Sequence, residues 1–203
     1  MKKYALILLC IASCTFAARP ERFFYTGLIG GFAKVDWDPV IAQDTATYPT
    51  NPTEADGQGS LFGADVGYQI NQYFAVEAEY IRMPNTYLKF KPVALPAYGV
   101  TSTESTMDFA AIILKIMVPL GDTDFSLFTD AGPAYQYRSD DVATTDTFAP
   151  TFGAGVNYRI NEHWMTNLTF QYATGYGESI ATPMDVYIPE IYAYTFAINY
   201  IFG

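Results

Sequence analysis

Histidine is the side chain most often used as a general base near neutral pH, and this sequence contains a single one, His163. The residues around it predict a short turn beside Trp164, at the end of the predicted fold opposite its long loops. We therefore expect His163 to be an interfacial residue, and no Ser-His-Asp set can be assembled among the long loops. The sequence predicts no catalytic residue and no enzyme; a lipid-modifying activity that needs no histidine stays open.

Other ligand-binding patterns are weak. Gly27, Gly30 and Gly31 lack the Gly-Lys-Ser/Thr ending of a phosphate-binding loop. Several carboxylates between Asp36 and Asp56 make the first loop acidic, but their spacing lacks the glycine and final glutamate of a calcium loop. We therefore predict no metal site and no cofactor. A net charge of −10 with only 11 basic residues argues against a nucleic-acid partner.

The amino terminus has the layout of a secretory signal peptide, with two lysines, an apolar run and small residues up to Ala17. We expect a signal peptide over residues 1–17 and a mature domain over residues 18–203. An alternative stays open, in which Cys14 is acylated and becomes the amino terminus of a lipoprotein. The protein is exported in either case.

Apolar and polar residues alternate strictly along several later segments. Where charged residues occur in these segments, they share a face with Gly, Ala and Asn, whereas the opposite face is aromatic and aliphatic. A soluble barrel shows the reverse, because its charges face water. The pattern therefore predicts a barrel whose outside faces lipid. In the last segment the apolar face comprises Tyr192, Tyr194, Phe196, Ile198, Tyr200 and Phe202.

The spacing of these segments predicts an all-β fold, an eight-stranded antiparallel up-and-down transmembrane β-barrel. Long and short connections alternate, which places both termini on the short-turn side; in outer-membrane barrels this side is the periplasm. Four long loops then face outward from the cell outer membrane of a Gram-negative bacterium. The predicted strands cover residues 22–36, 59–70, 74–83, 105–118, 124–137, 148–160, 164–174 and 190–203.

An internal repeat relates residues 66–74 to residues 156–164, with an offset of 90 positions. Each copy contains a strand end, a turn that begins with Asn, and an aromatic residue. Asn suits such turns because it tolerates left-handed backbone angles. The aromatic residues at strand ends are predicted to form interfacial girdles. These residues are Tyr68, Phe74, Tyr158, Trp164, Tyr172, Tyr200 and Phe202.

Residues 149–161, Ala-Pro-Thr-Phe-Gly-Ala-Gly-Val-Asn-Tyr-Arg-Ile-Asn, resemble the sixth strand of the outer membrane protein A transmembrane domain and its opacity-like relatives. Residues 166–172, Thr-Asn-Leu-Thr-Phe-Gln-Tyr, resemble the seventh strand. Residues 24–27 and 199–203 are similar to the family's opening and closing strands. The resemblance covers essentially the whole mature chain and implies an eight-stranded outer-membrane barrel.

In that family two Glu, one Lys and one Arg form an ionic gate inside the barrel. The resemblance places Glu77 and Lys115 at two of these positions, but Asn157 and Asn167 stand at the other two. We favour a core-filling salt bridge over a channel switch, because charges in so narrow an interior must pair or be hydrated. Alternation also turns other charged residues inward. The predicted interior charge cluster comprises Glu77, Lys115, Glu79, Arg159, Asp65 and Asp130, with Asp108 and Arg138 extending it.

We expect a structural, surface-exposed protein whose loops are available for adhesion or for host or environment contact, with residues 87–92 and 187–189 as candidate contact surfaces. Its expected partners are outer-membrane lipid and lipopolysaccharide, a possible host or surface ligand, and the barrel-assembly machinery during insertion. Two alternatives stay open: a narrow ion or small-solute pore gated by the interior charges, and a soluble lipocalin-like binder. It also stays open which side of the first strand faces lipid, because aromatic residues occur at both its odd-numbered and its even-numbered positions.

Overall fold

A computed structural model of the chain describes residues 22–42, 51–177 and 186–202. The expected signal peptide and Cys14 lie outside these residues. Short helical segments span Asp38–Ile41, Pro92–Ala94 and Leu95–Tyr98. The strands are β1 (Phe23–Asp36), β2 (Pro52–Asp56), β3 (Gln58–Asn71), β4 (Phe74–Arg82), β5 (Thr86–Phe90), β6 (Ser102–Pro119), β7 (Phe125–Ser139), β8 (Thr144–Arg159), β9 (Trp164–Ala173) and β10 (Glu190–Phe202).

Eight of these strands close into an antiparallel barrel. β1, β3, β4, β6, β7, β8, β9 and β10 pair in chain order, and β10 returns to pair with β1. Closure leaves no free edge in the membrane, so every ladder satisfies its backbone groups within the wall. The predicted eight-stranded up-and-down barrel is confirmed. Among the described residues, no helix is long and apolar enough to cross a membrane.

The extracellular end is more ordered than the sequence predicted. β2 and β5, which the sequence analysis assigned to loops, pair with each other, and β5 continues onto the outer end of β6. The third of the four long connections was expected over residues 138–147, but it is only residues 140–143. The carboxylate of Asp140 closes that turn, because it accepts the backbone N–H groups of Val142 and Ala143. The outward side therefore carries three long connections and one short turn.

The lipid-facing wall is made by the face that the alternation predicted. Leu28, Phe62 and Leu168 each leave 60–69% of their surface exposed, which suits side chains that meet lipid. The facing of β1 is also settled by burial. Tyr25 and Trp37 are buried inside, whereas Phe24 lies on the outer surface.

The interior has layers of different polarity. A polar layer occupies the middle of the barrel, and two small apolar clusters close the short-turn end around Phe23 and Phe128. The sequence analysis expected a polar interior, but the extracellular half is apolar. β6 shows why: both of its faces are apolar over much of its length, one toward lipid and one toward this layer. The apolar layer includes Ile29, Val35, Leu61, Ile81, Phe109 and Ile191.

Candidate functional site: the polar layer of the barrel interior

The centre of the polar layer is an ion pair between neighbouring strands. Lys115 on β6 and Glu77 on β4 lie 2.6 Å apart (Nζ to Oε2), and their side chains are 7% and 3% exposed. The hydroxyl of Tyr25 donates a second hydrogen bond to the same Glu77 oxygen, at 2.7 Å. The Lys115 ammonium also lies 4.9 Å from the centre of the Phe128 ring. The ion pair thus links three strands, β1, β4 and β6, within the closed interior.

Two further carboxylates are held by amide side chains. Gln171 donates its Nε2 to Glu79 from across the barrel, and Asn199 donates its Nδ2 to Asp65 at 2.6 Å. Glu79 and Asp65 are also directly opposite each other in the β3–β4 ladder. Both interactions join residues far apart in sequence: the first links β9 to β4 on the opposite side of the barrel, and the second links β10 to β3 across the intervening β1.

Asp130 is the most unusual member of this layer. It is directly opposite Lys115 in the β6–β7 ladder and is 6% exposed. Within the described part of the chain, neither of its carboxylate oxygens has a hydrogen-bond partner. Gly153 provides the space for it, because a Cβ atom there would lie 2.4 Å from Oδ1. A negative charge is therefore enclosed one strand away from the Lys115 ammonium.

Arg159 lies away from the Glu77 ion pair. Its guanidinium stacks over Phe23, 5.4 Å from the ring centre, and its Nε donates to the carbonyl of Asn161. Gly153, which faces Asp130, precedes Arg159 by six residues on β8, which corresponds to about 20 Å along a strand. The structure therefore brings Glu77, Lys115, Glu79, Asp65 and Asp130 into one layer and leaves Arg159 at the periplasmic end.

Two charged residues expected in this network lie elsewhere. Asp108 is on the outer face, where it accepts hydrogen bonds from Arg82 and Tyr80. Asp108 and Lys115 are seven positions apart on one strand, so they must point to opposite faces. Arg138 does point inward, but it lies in the apolar layer near the extracellular end, where it forms an ion pair with Asp140. Both expectations were wrong.

The girdle residues fall into two groups. At the short-turn end, Trp164 and Phe202 are both placed edge-on to Tyr200. Tyr172 is instead at the extracellular end, where its hydroxyl donates to Glu190. The group at the short-turn end comprises Tyr68, Phe74, Tyr158, Trp164, Tyr200 and Phe202.

The polar layer encloses little free space. The cavity among its side chains has a volume of about 10 Å³, which is close to the space needed for one water molecule. No group of three or more His, Cys, Asp or Glu residues in the described segments is arranged to hold a metal ion. This arrangement links six strands of the wall, β1, β3, β4, β6, β9 and β10, through an ion pair and hydrogen bonds, but it does not contain a cleft for a substrate.

Several residues of this layer were not singled out from the sequence. Tyr25 was missed because aromatic residues occur at both parities of β1, so alternation could not fix its direction. Gln171 and Asn199 do lie on the polar faces that alternation identified, which was the available signal. Their partners could not be predicted, because Asn199 and Asp65 are 134 positions apart.

Comparisons with known proteins agree with this architecture. Residues 4–202 match the family model described as outer membrane protein beta-barrel domain. Outer membrane protein A of Serratia marcescens is 28% identical over 205 residues, covering 88% of this chain and 51% of the relative. Outer membrane protein A of Shigella flexneri is 29% identical over 188 residues, covering 86% and 48%. The chain thus spans about half the length of the curated relatives it matches.

Solved structures show the same fold at low sequence identity. The outer membrane protein OprG from Pseudomonas aeruginosa has a TM-score of 0.54 at 12% identity, covering 92% of this chain and 97% of that one. Neisserial surface protein A has a TM-score of 0.54 at 15% identity, covering 88% and 97%. The family match over nearly the whole length, together with the closed barrel and its apolar wall, shows that the chain belongs to the outer membrane protein β-barrel family and resides in the outer membrane.

Proposed function

We propose that the protein is a non-enzymatic barrel that holds a folded extracellular cap on the outer membrane, and that this cap is a contact surface for the host or the environment. We define the cap as residues 37–42, β2, β5, residues 92–98, the outer end of β6, residues 140–143 and residues 186–189. The observation that carries the proposal is the apolar layer beneath it, which packs the cap onto the barrel.

Side chains from separate connections meet under the cap. Trp37 and Tyr187 pack together with ring centres 5.4 Å apart, and both are almost completely buried. Leu88 and Phe90 of β5 are buried in the same layer. This packing supports a cap with a fixed shape, and a fixed shape lowers the entropy that a binding surface loses on contact.

The outer surface of the cap carries exposed apolar side chains. Tyr87, Val93 and Leu95 are 61%, 54% and 44% exposed. Residues 187–189, which the sequence analysis suggested as a second contact surface, are buried and belong to the packing below. Exposed apolar groups clustered away from the bilayer are typical of interaction sites. Outer-membrane lipid and lipopolysaccharide are the proposed partners of the barrel wall below them, and the barrel-assembly machinery is the proposed partner during insertion.

The cap surface can be tested by adhesion. We expect cells displaying the triple variant Tyr87→Ser, Val93→Ser, Leu95→Ser to lose most of the adherence that the parent barrel confers. The reason is that these three exposed side chains would supply most of the apolar area buried on contact. Adherence of labelled cells to host-cell monolayers and to extracellular-matrix surfaces is the measurement.

The matched control for this experiment is Leu120→Ser, which removes an exposed apolar side chain from the short turn after β6, at the end of the barrel opposite the cap. A heat-modifiability gel verifies that each variant forms a folded barrel. Equal adherence of parent cells and cells without the protein, across the whole panel, would contradict the proposal.

The competing function is an ion or small-solute pore. The polar layer with its enclosed Asp130 favours a pore. The apolar extracellular half and the small central cavity oppose it, because an ion would have to lose its hydration shell to cross either. We therefore expect purified protein in planar bilayers to show no reproducible unitary currents, and Lys115→Ala to introduce none. Unitary currents in the parent that change size or open probability in Lys115→Ala or Glu77→Ala would establish the pore instead.

A further inference from the structure

The turn between β8 and β9 is held rigidly at the periplasmic end of the wall. The side-chain Oδ1 of Asn161 accepts the backbone N–H groups of His163 and Trp164, at 2.8 and 3.0 Å. The carbonyl of His163 in turn accepts the N–H of Ile201, at 2.8 Å. The turn is therefore fixed both internally and to β10, so its side chains have a defined arrangement.

Three rings stand around this turn. Trp164 and Tyr200 have centres 5.3 Å apart and planes at 76°, which forms a corner between two aromatic surfaces. His163 lies 6.0 Å from Tyr200 in a nearly parallel orientation. Together with Asn161 and Glu162 these rings line one open recess. Aromatic faces at an angle attract cations, and indole attracts them most strongly.

Glu162 adds a negative charge to the same recess. The guanidinium of the nearby Arg159 lies over Phe23 and interacts electrostatically with Glu162, but it is the carboxylate and not the guanidinium that lines the recess. A cation seated here would have aromatic rings and a carboxylate in the same lining. This combination selects a positively charged group that can also donate hydrogen bonds.

The position of the recess identifies the source of that group. Trp164 and Tyr200 are 40% and 37% exposed on the lipid-facing wall, next to Phe202, at the level where the strands leave the bilayer. We propose that this recess, which we call the ammonium recess, binds the primary ammonium headgroup of a phospholipid in the adjacent leaflet. The proposal is independent of the function assigned to the cap.

The chain contains a natural comparison for this recess. In the repeated turn at residues 71–74, the side chain of Asn71 accepts the N–H groups of Tyr73 and Phe74 at the same distances, 2.8 and 3.0 Å. Gln72 and Phe74 stand there in place of Glu162 and Trp164. The backbone is thus repeated, but the carboxylate and the indole are not, so only one of the two turns has the features of a cation site.

Fluorescence of Trp164 provides the test. In a Trp37→Phe background, Trp164 is the remaining tryptophan, because the sequence has only two. The full chain is reconstituted into phosphatidylglycerol vesicles that contain a fixed fraction of lipid with brominated acyl chains, carrying either a phosphatidylethanolamine or a phosphatidylglycerol headgroup. We expect the brominated ethanolamine lipid to be enriched beside Trp164 about threefold over the glycerol lipid, the range expected of an exposed cation–π contact.

Glu162→Gln, which copies the residue of the repeated turn, should lower this enrichment but leave it above one, since the carboxylate is removed while the rings remain. Asp122→Asn removes the same charge from another exposed position on a short turn and should leave the enrichment unchanged. Equal quenching by both lipids in the parent, or an equal loss in Asp122→Asn, would overturn the proposal. Lipid retention in native mass spectrometry of the protein with both tryptophans gives the same comparison independently of Trp37→Phe.

Discussion

Replacing Lys115 by methionine is expected to lower the free energy of unfolding by about 3–5 kcal/mol, which is the usual cost of removing one partner of a buried ion pair. The cost arises because Glu77 is 3% exposed, so its carboxylate would lose the ammonium 2.6 Å away without gaining water in its place. Methionine has nearly the same length, so lost packing contributes little. Urea unfolding in lipid vesicles, followed by the boiling-dependent shift on gels, measures the change.

The double variant Lys115→Met, Glu77→Gln is expected to recover part of this loss, because residue 77 no longer carries a charge, whereas Asp130 still lacks the ammonium beside it. Lys89→Met is the matched control, since Lys89 pairs with Glu54 at the surface with both side chains more than 60% exposed. We expect that control to cost at most about 1 kcal/mol. If Lys115→Met costs no more than Lys89→Met, the buried pair does not hold the polar layer together.

The different surroundings of Glu77 and Asp130 explain why the stability of the polar layer depends on Lys115. Glu77 receives hydrogen bonds from Tyr25 and Lys115, whereas Asp130 has no partner among the described residues. One ammonium thus faces more than one carboxylate in a space with a low effective dielectric constant. Its removal affects every negative charge nearby, so the effect of Lys115→Met exceeds that of breaking one contact.

The sequence was sufficient to predict the barrel because its signal repeats in every strand. Each of β9 and β10 places bulky apolar residues at one parity and small or polar residues at the other, so their facing follows from alternation alone. Alternation also turned Glu79 inward, whereas Glu77 and Lys115 were placed in the interior by the family resemblance. These features depend on neighbours along one strand.

The cap could not be predicted from such local signals. Arg138 and Tyr187 are 49 positions apart, and β2 pairs with β5 across more than 30 residues. The parity of Arg138 correctly indicated that it points inward, but parity gives no height along the barrel. Arg138 lies eight residues beyond Asp130 on β7, which corresponds to about 26 Å along a strand and places it in a different layer.

Arg138→Met is the second substitution for which we expect a large effect, because this buried arginine joins three connections of the cap. Its Nε donates to Asp140 and its Nη1 donates to the carbonyl of Tyr187, each at 2.7 Å. Its guanidinium also lies 4.8 Å from the Trp37 ring centre. The side chains of Arg138 and Asp140 are 0% exposed, so the substitution leaves a buried carboxylate without its cation. A loss of about 3–5 kcal/mol is expected.

The loss should appear first as opening of the cap rather than as unfolding of the barrel, because Arg138 contacts the extracellular connections while the ladders below stay paired. In a Trp164→Phe background, acrylamide quenching of Trp37 should increase, and protease added to reconstituted vesicles should cut within residues 83–101, while the heat-dependent gel shift persists. Arg82→Met is the control, since its pair with Asp108 lies on the outer face, partly exposed. If acrylamide quenches Trp37 no more in Arg138→Met than in Arg82→Met, the apolar layer alone holds the cap in place and Arg138 is not required for it.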